Sequence, residues 1–342
     1  MQISTAVNYA GDIVKAADTV AKLENAGIDT VWIAEAYSFD AVSLMGYLAA
    51  KTDKVKIGSG ILNIYSRTPS CLGQTAAGLD AVTNGRAILG LGASGPQVIE
   101  GFHGIPYDKP LARTREIIEI CRMMWRREPV THTGIYNLPL PEGQGTGLGK
   151  ALKLINHPVR AEIPIYIAAI GNKNVAMTAE LAEGWLPIFY MPERANDVWG
   201  AALKEGLAKR SADLPALDVV AGGLFAIGDG LEGVRDFMRP QLALYIGGMG
   251  ARGKNFYNEL ACRYGYEKEA KEIQDLYLDG NKKEAAEVVP AEMLEAMTLV
   301  GPEGYIKEKI AAFAESGVTN LQVMSVGADP IADLEKLKAW TS

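Results

Sequence analysis

Cysteine is scarce in this chain, with three among 342 residues. Cys71, Cys121 and Cys262 are odd in number, far apart and in no CxxC pair, so neither a disulfide framework nor a thiolate zinc site is indicated. Histidine is as sparse. His103, His132 and His157 share no metal-like spacing, and neither HExxH nor GxSxG occurs, which leaves metal-dependent and serine hydrolysis without their usual groups. Excess positive charge is also missing: 34 Lys and Arg against 41 Asp and Glu give a net charge of −7. An acidic chain has no general basic field for nucleic acid or anionic membrane, so neither partner is expected and any anionic ligand must be met locally. No apolar run approaches the roughly 20 residues of a membrane span. The opening "MQISTAVNYAGDIVKAA" has no basic start followed by an apolar core, and a cytoplasmic location is expected.

What the chain does have is enough apolar material for a large core, 48% hydrophobic residues, with 37 glycines spread along it. Two phrases, "ENAGIDTVWIA" and "AESGVTNLQVM", each end a helical pattern on Gly and then enter a short β-branched or aromatic run. That is a helix C-cap feeding a strand. Strand candidates fall near 2–7, 29–34, 55–62, 86–91, 163–169, 185–189, 217–227 and 319–325, eight in all, with helical patterns between them. Alternating strands and helices imply parallel βα units. In "RTPSCLGQTAAGLDAV", Thr68 is a natural N-cap and Pro69 the first helical residue.

Eight such units predict an α/β fold of the (β/α)8 TIM-barrel class. A barrel needs about 250 residues, so the chain reads as one domain over 1–342 with insertions near 128–162 and 228–300. A doubly wound open sheet shows the same alternation, but it announces its nucleotide site with GxGxxG after the first strand, where this chain has "NYAGDIV".

Barrel sites lie at the C-terminal ends of the strands. The second strand ends in "VWIAEAYSFD", placing Glu35 at the rim, either as a functional acid or as a solvated or ion-paired carboxylate. The third, "KIGSGILNIYSRTP", carries Gly58, Ser59 and Gly60 where a central strand normally has bulk. Glycine there marks a bulge or a close approach by a ligand. The fourth ends in "LGLGASGP", which is either a ligand-facing surface or a strand kept small for a neighbouring element. The fifth leads through "IGNKN" into a helix: Gly171 and the free N–H groups behind it suit an anion, while Asn172 or Asn174 as a plain N-cap suits a simple turn. His103 could face the site from the loop after the fourth strand. Arg113 and Arg115 begin a helix whose charged face is open to solvent, and Arg252 with Lys254 forms a second basic spot.

Taken in order, "GSGILNIYSRTP", "TNGRAILGLGASGP", "GIPYDKPLARTREIIEI", and "PIYIAAIGNKN" followed by "AEGWLPIFY" resemble the luciferase-like oxidoreductase superfamily. The resemblance is to its coenzyme F420-dependent branch, which includes the methylene-tetrahydromethanopterin reductases, and it covers nearly the whole chain. It implies a cis peptide at Gly60–Ile61 supporting one face of the deazaflavin ring, with Asn63 as a neighbouring polar contact. It implies that Gly92, Ala93 and Ser94 line the cofactor, that Ala169, Ile170, Gly171 and Asn172 hold its phosphate, and that Glu35 takes the place of an Asp beside the ring.

Two departures shape the functional expectation. The dehydrogenases of this branch have a catalytic His after that acid and a Glu in the loop after the fourth strand, where this chain has Ala36 and Gly95. The resemblance therefore implies a reductase-like enzyme that moves hydride between F420 and a small-molecule substrate, as a homodimer or higher homo-oligomer, with Glu35 the one titratable group near the ring. An FMN-dependent monooxygenase of the same superfamily and a catalytically idle flavin- or partner-binding barrel are the alternatives.

Overall fold

The computed structural model describes residues 1–7 and 11–341. The exit of the first strand at residues 8–10, part of the stretch read as lacking GxGxxG, lies outside the described residues.

Ten strands occur among the described residues: β1 (Gln2–Val7), β2 (Thr30–Ile33), β3 (Lys56–Ser59), β4 (Leu62–Asn63), β5 (Ala87–Gly92), β6 (Ile165–Ala168), β7 (Gly184–Leu186), β8 (Asp218–Ile227), β9 (Leu299–Gly301) and β10 (Asn320–Ser325). Neighbours pair in parallel in the order β10, β1, β2, β3, β5, β6, β7, β8, and β8 returns to β10 from Val220↔Asn320 to Phe225↔Ser325. The sheet is thus a closed eight-stranded barrel, as the alternation predicted. β4 carries β3 onward along β5, and β9 adds to the upper end of β8.

The helices follow in chain order: α1 (Ile13–Asn25), α2 (Ala41–Ala49), α3 (Pro69–Val82), α4 (Pro96–Gly101), α5 (Pro110–Trp125), α6 (Asn172–Leu181) and α7 (Pro192–Leu207) come first. Between β8 and β9 run α8 (Arg239–Ala243), α9 (Phe256–Arg263), α10 (Glu267–Leu278), α11 (Lys282–Glu287) and α12 (Ala291–Ala296); α13 (Glu303–Glu315) and α14 (Pro330–Thr341) close the chain. Their starts obey local chemistry. Asp12 accepts from the N–H groups of Val14 and Lys15 at the head of α1, and Thr68 caps α3 ahead of Pro69.

Two cores result. Residues such as Ile3, Val31, Ile57, Leu89 and Ile167 face the helices, while Trp32, Ile88, Tyr166 and Val220 form a separate cluster. The separate cluster fills the barrel interior, because period-two alternation along each strand sends successive side chains to opposite faces. Its large rings explain two glycines. A Cβ on Gly58 would sit 2.3 Å from the Trp32 ring, and one on Gly184 would sit 2.2 Å from that of Tyr166. The space at Gly58 is therefore filled by tryptophan, so of the two readings of the small residues here, a bulge or a close ligand, a ligand is not what Gly58 itself makes room for.

Other expectations are corrected as well. The strand expected over 55–62 breaks at Gly60, and the one expected over 185–189 stops at Leu186 because Pro187 brings no N–H to the ladder. The insertion expected over 228–300 runs into strand β9, only three residues long and so too short to show alternation. Residues 128–162 form an irregular, Gly- and Pro-rich excursion. It is tied down by Arg127 to the Leu154 carbonyl and by Arg160 to the buried Asp80 carboxylate. Among the described residues no helix is long and apolar enough to cross a membrane, and no group of three or more His, Cys, Asp or Glu could hold a metal.

Candidate active site

The C-terminal end of the third barrel strand is built around a bulge. Gly58 pairs with Ile88 and Leu62 with Leu91, so three residues on one side face two on the other. The extra residue breaks the ladder, and Ser59 repairs it: its hydroxyl donates to the Gly90 carbonyl and accepts from the Gly90 N–H, both at 2.8 Å. The Gly60–Ile61 peptide within the bulge is cis. Two glycines on β5 receive the displaced strand. A Cβ on Gly90 would lie 1.7 Å from the Ser59 carbonyl oxygen, and one on Gly92 would lie 2.8 Å from Ile61 Cγ1. Ile61, half-buried, therefore lies over Gly92 at the barrel mouth.

Beyond the bulge Asn63 is buried, and its Oδ1 accepts from the N–H groups of Tyr65 and Ser66 at 3.0 and 2.7 Å. Its Nδ2 faces His103 Nε2 at 3.3 Å. Asn63 thus shapes the turn that delivers Arg67, and His103, a candidate from the sequence, does reach this rim. Arg67 meets Glu35 from the end of β2, Nη1 to Oε1 at 2.6 Å and Nη2 to Oε2 at 2.8 Å, and Oε2 also accepts from the Ala41 N–H. The sequence singled out Glu35 but gave no sign of Arg67, whose partner lies 32 residues away. Hydrogen bonding to Glu35, opposed by burial, holds the Arg67 pKa above its ordinary value.

The turn after β6 is organised by its carbonyls. Trp185 Nε1 donates to the Ala169 carbonyl and Trp199 Nε1 to that of Ile170, both at 2.8 Å. Arg263, from the end of α9, donates a second bond to Ile170 O at 2.9 Å. With its carbonyl turned onto the indole, the Ile170–Gly171 peptide directs its N–H the other way. Gly171 is the N-cap of α6 and supplies no side-chain cap; the first helical bond runs from Val175 N to Gly171 O. The N–H groups of Asn172, Lys173 and Asn174 therefore have no acceptor within the helix. Asn172 and Asn174, the other N-cap candidates, do not cap: the Asn172 oxygen is held by Arg263, and Asn174 Oδ1 is buried without a partner.

Ser94 sits at φ +56° in the loop after β5, exposed beside half-buried Ala93 and buried Gly92. Tyr107 donates to the Ser94 carbonyl and stands against Tyr65 at 5.3 Å; burial pushes both tyrosine hydroxyls up, so they stay protonated. Three of the basic residues singled out from sequence are occupied: Arg113 pairs with Asp108, Arg115 with Glu180, and Arg252 with Asp275. An apolar cavity of about 280 Å³ lies beside the mouth, between β2 and helices α1 and α2, lined by Ile13, Ile33, Phe39 and Leu44 among others.

These features fit a planar cofactor with an anionic tail. Gly92 admits Ile61 where a Cβ would not, Gly171 has open space around it, and α6 presents uncapped N–H groups beside a guanidinium. A closed parallel barrel with a bulged third strand and an anion-suited turn after β6 defines a cofactor-binding (β/α)8 enzyme class. A family model described as luciferase-like monooxygenase matches residues 1–320, and the chain belongs to that family. It is 42% identical over 325 residues to a Mycobacterium tuberculosis protein named by assignment as a coenzyme F420-dependent oxidoreductase, with 94% of this chain and 93% of that one covered. It is 28% identical to 5,10-methylenetetrahydromethanopterin reductase of Archaeoglobus fulgidus, over 90% of this chain and 88% of the relative. Among solved structures, the coenzyme F420-dependent tetrahydromethanopterin reductase of Methanopyrus kandleri superposes with a TM-score of 0.79 at 23% identity, covering 98% of this chain and 96% of that one.

Proposed function

We propose that this protein is a coenzyme F420-dependent oxidoreductase that transfers hydride between the cofactor and a small-molecule substrate. The observation that carries the reading is the juxtaposition, at one end of the barrel, of the Ile61 bulge seated on Gly92 with the uncapped α6 turn. The end-to-end match to a relative named for F420 supports the cofactor's identity.

When bound, the deazaflavin supplies the hydride chemistry. The protein's part is placement: Ile61 and Gly92 offer a surface for the ring, and Gly60, Asn63, Ala93 and Ser94 frame it. Ala169, Ile170, Gly171 and Asn172 offer N–H groups and the positive end of a helix dipole to the phosphate. Glu35 fixes the rim through Arg67 and leaves proton transfer to other groups.

The rim also indicates the kind of substrate. Two charge pairs are closed there, Glu35 with Arg67 and Asp108 with Arg113, the exposed Asp40 adds a negative charge, and Tyr37, Phe39 and Phe102 expose their rings. A neutral substrate with apolar surface suits such a rim better than a phosphorylated one.

Anaerobic fluorescence titration with F420 and with FMN tests the assignment. Tight F420 binding, followed by substrate-dependent cofactor turnover without oxygen uptake, is the expected result. Binding of FMN alone, with oxygen consumed, would identify a monooxygenase; binding of neither would leave an idle barrel.

A further inference from the structure

We propose that Arg263 is a positioning residue for the anionic end of the cofactor, acting through the Ala169–Asn172 turn; the proposal rests on the cofactor assignment above. Arg263 belongs to the insertion between β8 and β9, which is far from this turn in sequence and carries none of the barrel strands. Its location is nevertheless tightly set. The next residue, Tyr264, is buried, donates to the Phe189 carbonyl at 2.9 Å and accepts from Met191 N, so the end of α9 is anchored on the segment after β7.

From that anchor the guanidinium spans three acceptors: Nη1 donates to Ile170 O, and Nη2 to Asn172 Oδ1 and to Val198 O. It also lies 5.9 Å from the Trp199 ring centre. Each bond to the turn has a consequence for the N–H groups behind it. Together with Trp199, the bond to Ile170 O holds that carbonyl back, which turns the Gly171 N–H outward. The bond to Asn172 Oδ1 occupies the oxygen that would otherwise fold over the helix start as a cap, which keeps α6 open.

Charge reinforces geometry. Arg67, Arg113, Arg115 and Arg122 are each neutralised by a carboxylate, whereas among the described residues Arg263 forms no ion pair. A guanidinium outside any ion pair, with Glu259 acting on it only through its field, therefore stands beside three uncapped N–H groups, in a chain whose net charge is −7. The planar fork is essential to this role, because an ammonium group cannot reach the three acceptors in fixed directions.

The test compares F420 with its phosphate-free deazaflavin chromophore, both titrated by fluorescence into the full-length protein. Arg263→Gln is expected to weaken F420 by about tenfold or more while leaving the phosphate-free chromophore within about twofold, and Arg263→Lys is expected not to restore the loss. Equal weakening of both ligands would show a merely structural clamp. Unchanged F420 affinity, or full rescue by lysine, would also overturn the proposal. Should the wild-type protein bind FMN in place of F420, the cofactor assignment fails, and the same comparison of FMN with riboflavin then decides the role of Arg263 separately.

Discussion

Glu35 and Arg67 form a two-point ion pair across the barrel mouth, with N–O distances of 2.6 and 2.8 Å and side chains only 8% and 17% exposed. The pair joins the end of β2 to the turn after β4, and through the Ala41 N–H it also steadies the start of α2. A carboxylate so engaged is a poor proton shuttle and a good strut. Its nearest sequence neighbour on the rim, Ala36, offers no base.

Glu35→Gln leaves Arg67 half-buried without a counter-charge. The variant should lose about 2 kcal/mol of stability in urea denaturation and turn over more slowly while still binding the coenzyme. Undiminished activity would remove any role for the pair in catalysis, and a loss of coenzyme binding would place Glu35 on the cofactor itself.

Gly171→Asp is expected to produce effects of opposite sign. The backbone there has φ −76° and a Cβ would meet nothing within 4 Å, so aspartate can serve as the missing N-cap. The gain should be about 1 kcal/mol of stability. The same carboxylate would occupy the N–H groups and repel a phosphate, so F420 affinity should fall by about tenfold or more. Calorimetry and coenzyme titration on one preparation check both.

The bulge makes a graded prediction. Gly90→Ala would drive a Cβ to 1.7 Å from the Ser59 carbonyl oxygen, where backbone must move, and should unfold the protein or cost well over 3 kcal/mol. Gly92→Ala would press on the Ile61 side chain at 2.8 Å, with Ala168 Cβ at an ordinary 3.5 Å. It should cost about 1 kcal/mol and show its main effect in weakened coenzyme binding. Thermal melts of the two variants, with titration of the second, give the comparison.

Glu24 supplies a pH-dependent contribution far from the mouth. Its carboxylate accepts from the N–H groups of Asp53, Lys54 and Val55 at the entry to β3. Burial pushes its pKa up, but these bonds, with Arg86, outweigh that and leave it below the ordinary 4.5. A depressed folded-state pKa stabilises above the unfolded value and loses that contribution as pH falls through the folded one. Wild type should therefore exceed Glu24→Gln by about 1–2 kcal/mol near pH 7, and the gap should narrow steadily below about pH 4.5. A constant gap down to pH 2 would contradict this origin.

The alternation of short β-branched runs with capped helical stretches was legible in the sequence, because periodicity and capping are local properties. They set the eight barrel strands and the Thr68–Pro69 start of α3. Gly60, Gly92 and Gly171 were also visible as glycines in positions that ask for a reason. The reasons themselves are tertiary. Gly58 proved to make room for Trp32, a residue of the adjacent strand that no local rule connects to it. Arg67 and Arg263 carried no local signal, since each works on a carboxylate or turn brought near only by barrel closure and the docking of α9. Sequence alone thus determined which segments become strands and helices, and closure of the barrel decided which side chains meet at its mouth, because those contacts join residues that are distant along the chain.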